Sequence, residues 1–219
     1  MSGRGSPLTI TIGKRAFENG PLHIFTPADR IEEHARLLFD HLAKENYLRG
    51  LSRETFASRA ADTFLAVNQI HPFREGNGRT QRAFFRALAR DAGHELHFTV
   101  VSRKRMIDAS IEGSRGQPEM MRHLFDEISD LVRIAPLREA IQFLDTQKFQ
   151  WNDRYIATTT PGQSYDGYLV GRNKSNFMMR DNARIFVGNL GDLPASAAIG
   201  GPIRFVASGI EREPTKTAT

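Results

Sequence analysis

The feature that most constrains this chain is a change of texture at Trp151. Before it, apolar residues recur at helical spacing; after it come short extended runs. Ile31, Ala35, Leu38 and Leu42, then Phe56, Ala60, Phe64 and Val67, fall on single helical faces. From Arg154 the runs 154–159, 165–170, 177–180, 185–188 and 203–207 are separated by Pro161-Gly162, Asn189, Gly191 and Gly200-Gly201. Helices first and regularly spaced strands second predict an α+β protein whose two classes of element are segregated, with a small β-barrel or sandwich at the end.

Finer signals place the boundaries. Pro7–Phe25 reads as a β-hairpin: Thr9-Ile10-Thr11-Ile12 alternates, Glu18-Asn19-Gly20-Pro21 turns, and Leu22–Phe25 extends again. Thr26 followed by Pro27 predicts a helix start, and Gly50 the end of that segment. Ser52 is the expected N-cap of a second helix; a third runs from Arg79 to Asp91, stopped by Gly93. Ser102 caps a helix through Glu112. Pro118 opens another, with Met121, Leu124, Phe125, Ile128 and Leu131 on its buried face, and Pro136 restarts a helix through Leu144. The expected division is a helical domain over 1–145, a β domain over 146–210 and a disordered tail over 211–219.

Bulk properties narrow the classes. The 219 residues contain no Cys, which excludes disulfides and thiolate metal sites and fits a cytoplasmic, reducing compartment. No transmembrane run and no signal peptide are readable. The formal net charge of +5 reads as a surface with excess Arg rather than a nucleic-acid binder, because no zinc-finger spacing or basic helical stripe accompanies it.

The chemistry concentrates in HPFREGNGRTQR, residues 71–82. Gly76-Asn77-Gly78 precedes a helix, whose N-terminal N–H groups and partial positive charge suit an anion approaching bare backbone. Arg79 and Arg82, three residues apart, share a face and imply several phosphates rather than one. Glu75 beside phosphates makes sense with a bridging magnesium ion. His71 is placed to take a proton from an incoming hydroxyl. Phe73 and Pro72 read as anchor and stiffener of the loop. Taken singly, each piece is more often an ordinary turn, helix end or solvated arginine; together they point to a Mg–nucleoside triphosphate and to phosphoryl or nucleotidyl transfer. The absence of GKS or GKT excludes a Walker A loop.

This string resembles the Fic domain signature HxFx(D/E)GNGRxxR, with His71, Phe73, Glu75, Gly76, Asn77, Gly78, Arg79 and Arg82 all in place. The resemblance implies an all-helical Fic fold with a β-hairpin flap and, as activity, AMPylation: transfer of AMP from Mg-ATP to a Tyr, Thr or Ser hydroxyl of a target protein. It implies His71 as general base, Glu75 as magnesium ligand, Gly76, Asn77 and Gly78 as phosphate cradle, and Arg79 and Arg82 as holders of the β- and γ-phosphates. The hairpin at 8–25 then corresponds to the flap, which docks the target segment by strand addition. Lys14, Leu22 and His23 are its candidate contact residues, and Ile107 and Ser110 candidate adenine-pocket residues.

The stretch 153–181 resembles the OB-type fold that follows the Fic domain in type IV secretion effectors of the Bartonella kind. Such effectors usually have helical sequence before the flap and a secretion-signal domain after the barrel; here the flap comes first and the chain stops at Thr219. The inhibitory string (S/T)xxxE(G/N) is absent, since Asp108, His41 and Lys14 stand where Ser or Thr is needed. Inhibition in trans by a small antitoxin protein is therefore the expectation. Transfer of UMP, phosphocholine or phosphate, or a silent binding module, are the alternative readings.

Overall fold

The computed structural model describes residues 25–210. The flap hairpin expected at 8–25, with Lys14, Leu22 and His23, and the tail 211–219 thus lie outside the described residues, Phe25 excepted. Six α-helices come first: α1 Ile31–Lys44, α2 Arg53–Ile70, α3 Asn77–Asp91, α4 Arg103–Ser114, α5 Glu119–Ile128 and α6 Leu131–Thr146. Five strands follow: β1 Tyr155–Thr158, β2 Ser164–Arg172, β3 Asn176–Asp181, β4 Arg184–Asn189 and β5 Pro202–Val206.

Three of the six helix starts follow from side-chain capping. Ser52 Oγ accepts from Thr55 N at 3.3 Å and Ser102 Oγ from Arg105 N at 3.2 Å, each satisfying one orphan donor of the first turn. Two starts differ from the sequence expectation. Thr26 does not cap: Pro27 opens a 3₁₀ turn, Ala28–Arg30, that leads into α1, and Thr26 Oγ1 instead lies 3.2 Å from His34 Nδ1. The sixth helix begins at Leu131 rather than Pro136, because Asp130 Oδ1 accepts from Val132 N at 3.0 Å and opens the helix a turn earlier. Pro136 then sits inside it. Leu131, expected on a buried face, is 66% exposed, since it starts this new helix beyond the end of α5.

Helix α2 is the centre of the helical part. Phe56, Ala60 and Phe64 are buried on one of its stripes, and Phe64 meets Phe85 of α3 and Phe125 of α5 at centroid distances of 5.1 and 5.4 Å. Arg122 of α5 grips Asp62 of α2 through Nε and Nη2 at 2.8 and 3.0 Å.

The strands lie in one mixed sheet of order β1-β4-β3-β2-β5, with β1 parallel to β4 and the other pairs antiparallel. Alternate residues divide between two cores. Ile156, Met178, Ile185 and Val187 join the helical core, whereas Ala157, Phe177, Met179 and Phe186 face a second cluster with Tyr165, Leu169, Ile203 and Phe205. The small barrel expected from the sequence is therefore not closed. β1 and β5 are the two edges: Ile156 of β1 packs into the helical core and Thr158 bonds to Glu127 of α5, while β5 pairs with β2.

A buried ion pair fastens sheet to helices. Arg105 of α4 and Glu127 of α5, both fully buried, bond to each other. Arg105 Nη1 also donates to the Ile156 carbonyl at 3.1 Å, and Glu127 Oε1 accepts from Thr158 Oγ1 at 2.6 Å. Burial is the largest influence and works against both charges, but the partner's field together with neighbouring charges and hydrogen bonds outweighs it: Glu127 is held below the usual carboxylate range and Arg105 above the usual guanidinium value.

Candidate active site

The residues of 71–82 span the end of α2, a short loop and the first turns of α3. Two left-handed residues make the reversal. His71, at φ 44 and ψ 58, closes α2 while its N–H still reaches Val67 O at 3.4 Å; Gly76, at φ 87, opens α3. A left-handed conformation costs a glycine little, which explains that residue at the second bend.

Between the bends the loop is held by Asn77. Its Oδ1 accepts from Phe73 N at 3.0 Å, and its Nδ2 donates to Phe73 O at 2.5 Å. Asn77 is buried, whereas the Phe73 ring, expected to be the anchor, is 48% exposed. The loop is thus clamped through the backbone of Phe73 by a carboxamide that the sequence reading had placed only in the cradle. Gln81, also buried, donates to Asn68 Oδ1 at 3.2 Å and ties α3 to α2 behind the loop. Sequence reasoning assigned Gln81 nothing; a polar residue on the buried face of α3 was the available signal.

Phe25 and Thr26 approach from the other side. The Phe25 and His71 rings stack with centroids 3.9 Å apart and planes 22° from parallel. Thr26 N donates to Gln69 O at 2.9 Å, fixing this strand of chain against the end of α2.

The N-terminus of α3 meets the loop with its basic side chains. The Gly76 carbonyl accepts from Arg79 N and Thr80 N, both at 3.0 Å, so the N–H groups of Asn77 and Gly78 are left as the positional orphans of the helix start. A Cβ placed on Gly76 would stand 3.7 Å from Arg79 Nη2, and one on Gly78 3.6 Å from Arg82 Nη1. The guanidiniums therefore lie over the two glycines. Among the described residues, neither arginine pairs with a carboxylate. Glu75 is exposed and is the sole carboxylate of the 71–82 string. No group of three or more His, Cys, Asp or Glu among the described residues is arranged to hold a metal ion.

Ile107 and Ser110 lie one turn apart on α4, the first exposed and the second half-buried. One turn further on, Gly113 packs so closely on α2 that a Cβ there would stand 2.2 Å from Leu65 Cδ2.

Residues 71–82 thus form a reversing loop before a helix, with two bare glycines under two guanidiniums and a histidine at the end of α2. Residues 8–89 match the Fic/DOC family, and the chain carries a Fic domain of that family. The protein adenylyltransferase of Bartonella henselae is 39% identical over 197 residues, covering 87% of this chain and 36% of that relative. The protein adenylyltransferase VbhT of Bartonella schoenbuchensis is 42% identical over 97 residues, 44% of this chain and 20% of its own. The solved type IV secretion system effector protein BepA superposes with a TM-score of 0.79 at 36% identity, over 86% of this chain and 66% of that one. This chain therefore shares the helical Fic fold together with the mixed sheet that follows it, and it spans about a third of the B. henselae relative.

Proposed function

We propose that this chain is a protein adenylyltransferase that moves AMP from ATP onto a Tyr, Thr or Ser hydroxyl of a target protein. The observation that carries the reading is the helix N-terminus at Gly76–Gly78 overlaid by two guanidiniums that have no carboxylate partner among the described residues, one short loop after His71 at the end of α2. Support comes from two relatives named as protein adenylyltransferases.

The geometry suits the chemistry as follows. The β- and γ-phosphates rest under Arg79 and Arg82, and the backbone of Gly76, Asn77 and Gly78 receives the remaining phosphate oxygens. His71 takes the proton of the target hydroxyl as its oxygen bonds to the α-phosphorus. The bond from that phosphorus to the bridging oxygen breaks, and pyrophosphate leaves. One exposed carboxylate without a companion cluster does not build a protein cage, but it fits magnesium, which takes few protein ligands and completes its shell with phosphate and water. Glu75 would hold that ion, whose charge offsets that of the phosphates. Ile107 and Ser110 are the proposed wall for adenine.

The hairpin at 8–25 serves in this reading as the docking flap, with Lys14, Leu22 and His23 as its contacts. Residues 1–145 form the catalytic domain, and 146–210 an OB-like, partly open β domain that acts as a spacer. Inhibition by a small antitoxin protein, and delivery into host cells as a type IV effector, belong to the same proposal; the second rests on the likeness to BepA. No helix among the described residues is long and apolar enough to cross a membrane.

The test is incubation of the chain with α-labelled ATP and magnesium in a cell lysate, with His71→Ala in parallel. The expected result is a labelled protein band that drops about 10²-fold or more in the variant while ATP binding persists. A band of equal intensity in both would refute the mechanism, and an added mass other than that of AMP would replace the transferred group.

A further inference from the structure

We infer that Phe25 is a positioning residue for His71, holding the imidazole in the orientation that the transfer step requires. The inference rests on the proposed role of His71 as base. Three observations carry it. The two rings stack at 3.9 Å with 22° between their planes, a close face-to-face contact. His71 itself has a left-handed backbone, φ 44 and ψ 58, beyond the last residue of α2, so the helix does not set its side-chain direction in the ordinary way. The element that carries Phe25 is pinned: Thr26 N bonds to Gln69 O at 2.9 Å, two residues before His71, and Thr26 Oγ1 lies 3.2 Å from His34 Nδ1 of α1.

The stack does two physical things. It confines the ring to one plane, so that a nitrogen is aimed rather than swept, and about 1 Å of misplacement costs up to ~10²-fold in rate. It also sets an aromatic face against the imidazolium that forms when His71 takes a proton, which favours the cation. Phe25 is 40% exposed, so its contribution is to the ring of His71 more than to the core. It also ends the stretch read as the flap, which places ring orientation and target docking on one short run of backbone.

The experiment compares the whole chain with Phe25→Leu, which keeps bulk without an aromatic face, and with Phe25→Tyr, which restores one. Histidine ring protons are followed by NMR, with the His71 signals identified by their loss in His71→Ala. The stack predicts that these signals lie upfield in the wild type, move downfield in Phe25→Leu and return in Phe25→Tyr. In parallel, label transfer at saturating ATP is expected to fall about tenfold or more in Phe25→Leu, with the half-saturating ATP concentration unchanged and the rate rescued in Phe25→Tyr. His71 signals that do not move in Phe25→Leu would overturn the contact. Moved signals with an unchanged transfer rate would overturn the positioning role. A wild-type chain that transfers nothing counts against adenylylation alone, and the ring signals still decide whether Phe25 sets the imidazole.

Discussion

Arg105 is fully buried, bonded to Glu127 and to the Ile156 carbonyl; Arg79 and Arg82 lie at the start of α3, the first exposed and the second half-buried, with no carboxylate partner among the described residues. The same side chain is a rivet in one region and an open hand in the other. A guanidinium withdrawn from water is stable there only when a carboxylate and carbonyls replace its hydration. One left beside bare glycines and helical N–H groups keeps its bonding capacity for an anionic ligand.

The sharpest way to break this comparison is to remove one partner of the rivet. Glu127→Ala leaves Arg105 charged and buried, and is expected to cost about 3–5 kcal/mol, lowering the melting temperature by about 10 °C. The double change Arg105→Met with Glu127→Leu should recover most of that loss in a thermal melt. If Glu127→Ala melted like the wild type, the two arginine regions would not differ as described.

Arg82→Ala should do the reverse. In the proposed reading it removes a charge-assisted phosphate contact worth about 1.5–3 kcal/mol, so ATP binding measured by calorimetry is expected to weaken about 10- to 100-fold. The melting temperature in the absence of nucleotide stays within a few degrees. Asn77→Ala sits between the two cases: it leaves the Phe73 N–H and carbonyl without their clamp, at about 1–3 kcal/mol, and should lower both stability and nucleotide affinity.

The smallest effect is on pH. Burial, then the fields of Arg105 and Arg133, lower the His123 pKa below the free value of 6.5, against an opposing pull from Glu127 and Asp126. The unfolded chain then binds the extra proton first, so stability is lost as pH falls below about 6.5. Glu127 has a depressed folded pKa, so its contribution is intact above the free value of 4.5 and disappears only as pH falls through the lower folded value. Melting curves taken from pH 7 to about 2 should show a shallow decline first and a steeper one below about 4.5. In Glu127→Ala the steep part should be weaker.

Much of the fold was legible. All five strands lie within two residues of their expected runs, because turn residues bound them and each carries apolar residues on at least one buried face. The misplaced sixth helix has a local cause: Pro136 is a conspicuous start signal, and the Asp130 cap that outcompetes it is a single hydrogen bond. Openness of the sheet was not legible, since it depends on what β1 packs against rather than on its own residues. At the site, the residue types of 71–82 were readable as a set, but not the division of labour within them. Asn77 clamps the loop while Phe73 stays half-exposed, and a carboxamide within reach of a backbone N–H and carbonyl is recognisable only once the loop has its shape.

The amino-acid sequence by itself determined the order of elements, the helical faces, the capping serines and the glycine- and arginine-rich string at 71–82, all features set by neighbours a few residues apart. Only the tertiary structure decided that Arg105 and Glu127 meet β1, that Gln81 reaches Asn68, and that Phe25 lies on the ring of His71. Those contacts join residues distant along the chain, and their geometry follows from how the helices and the sheet pack, which no local pattern encodes.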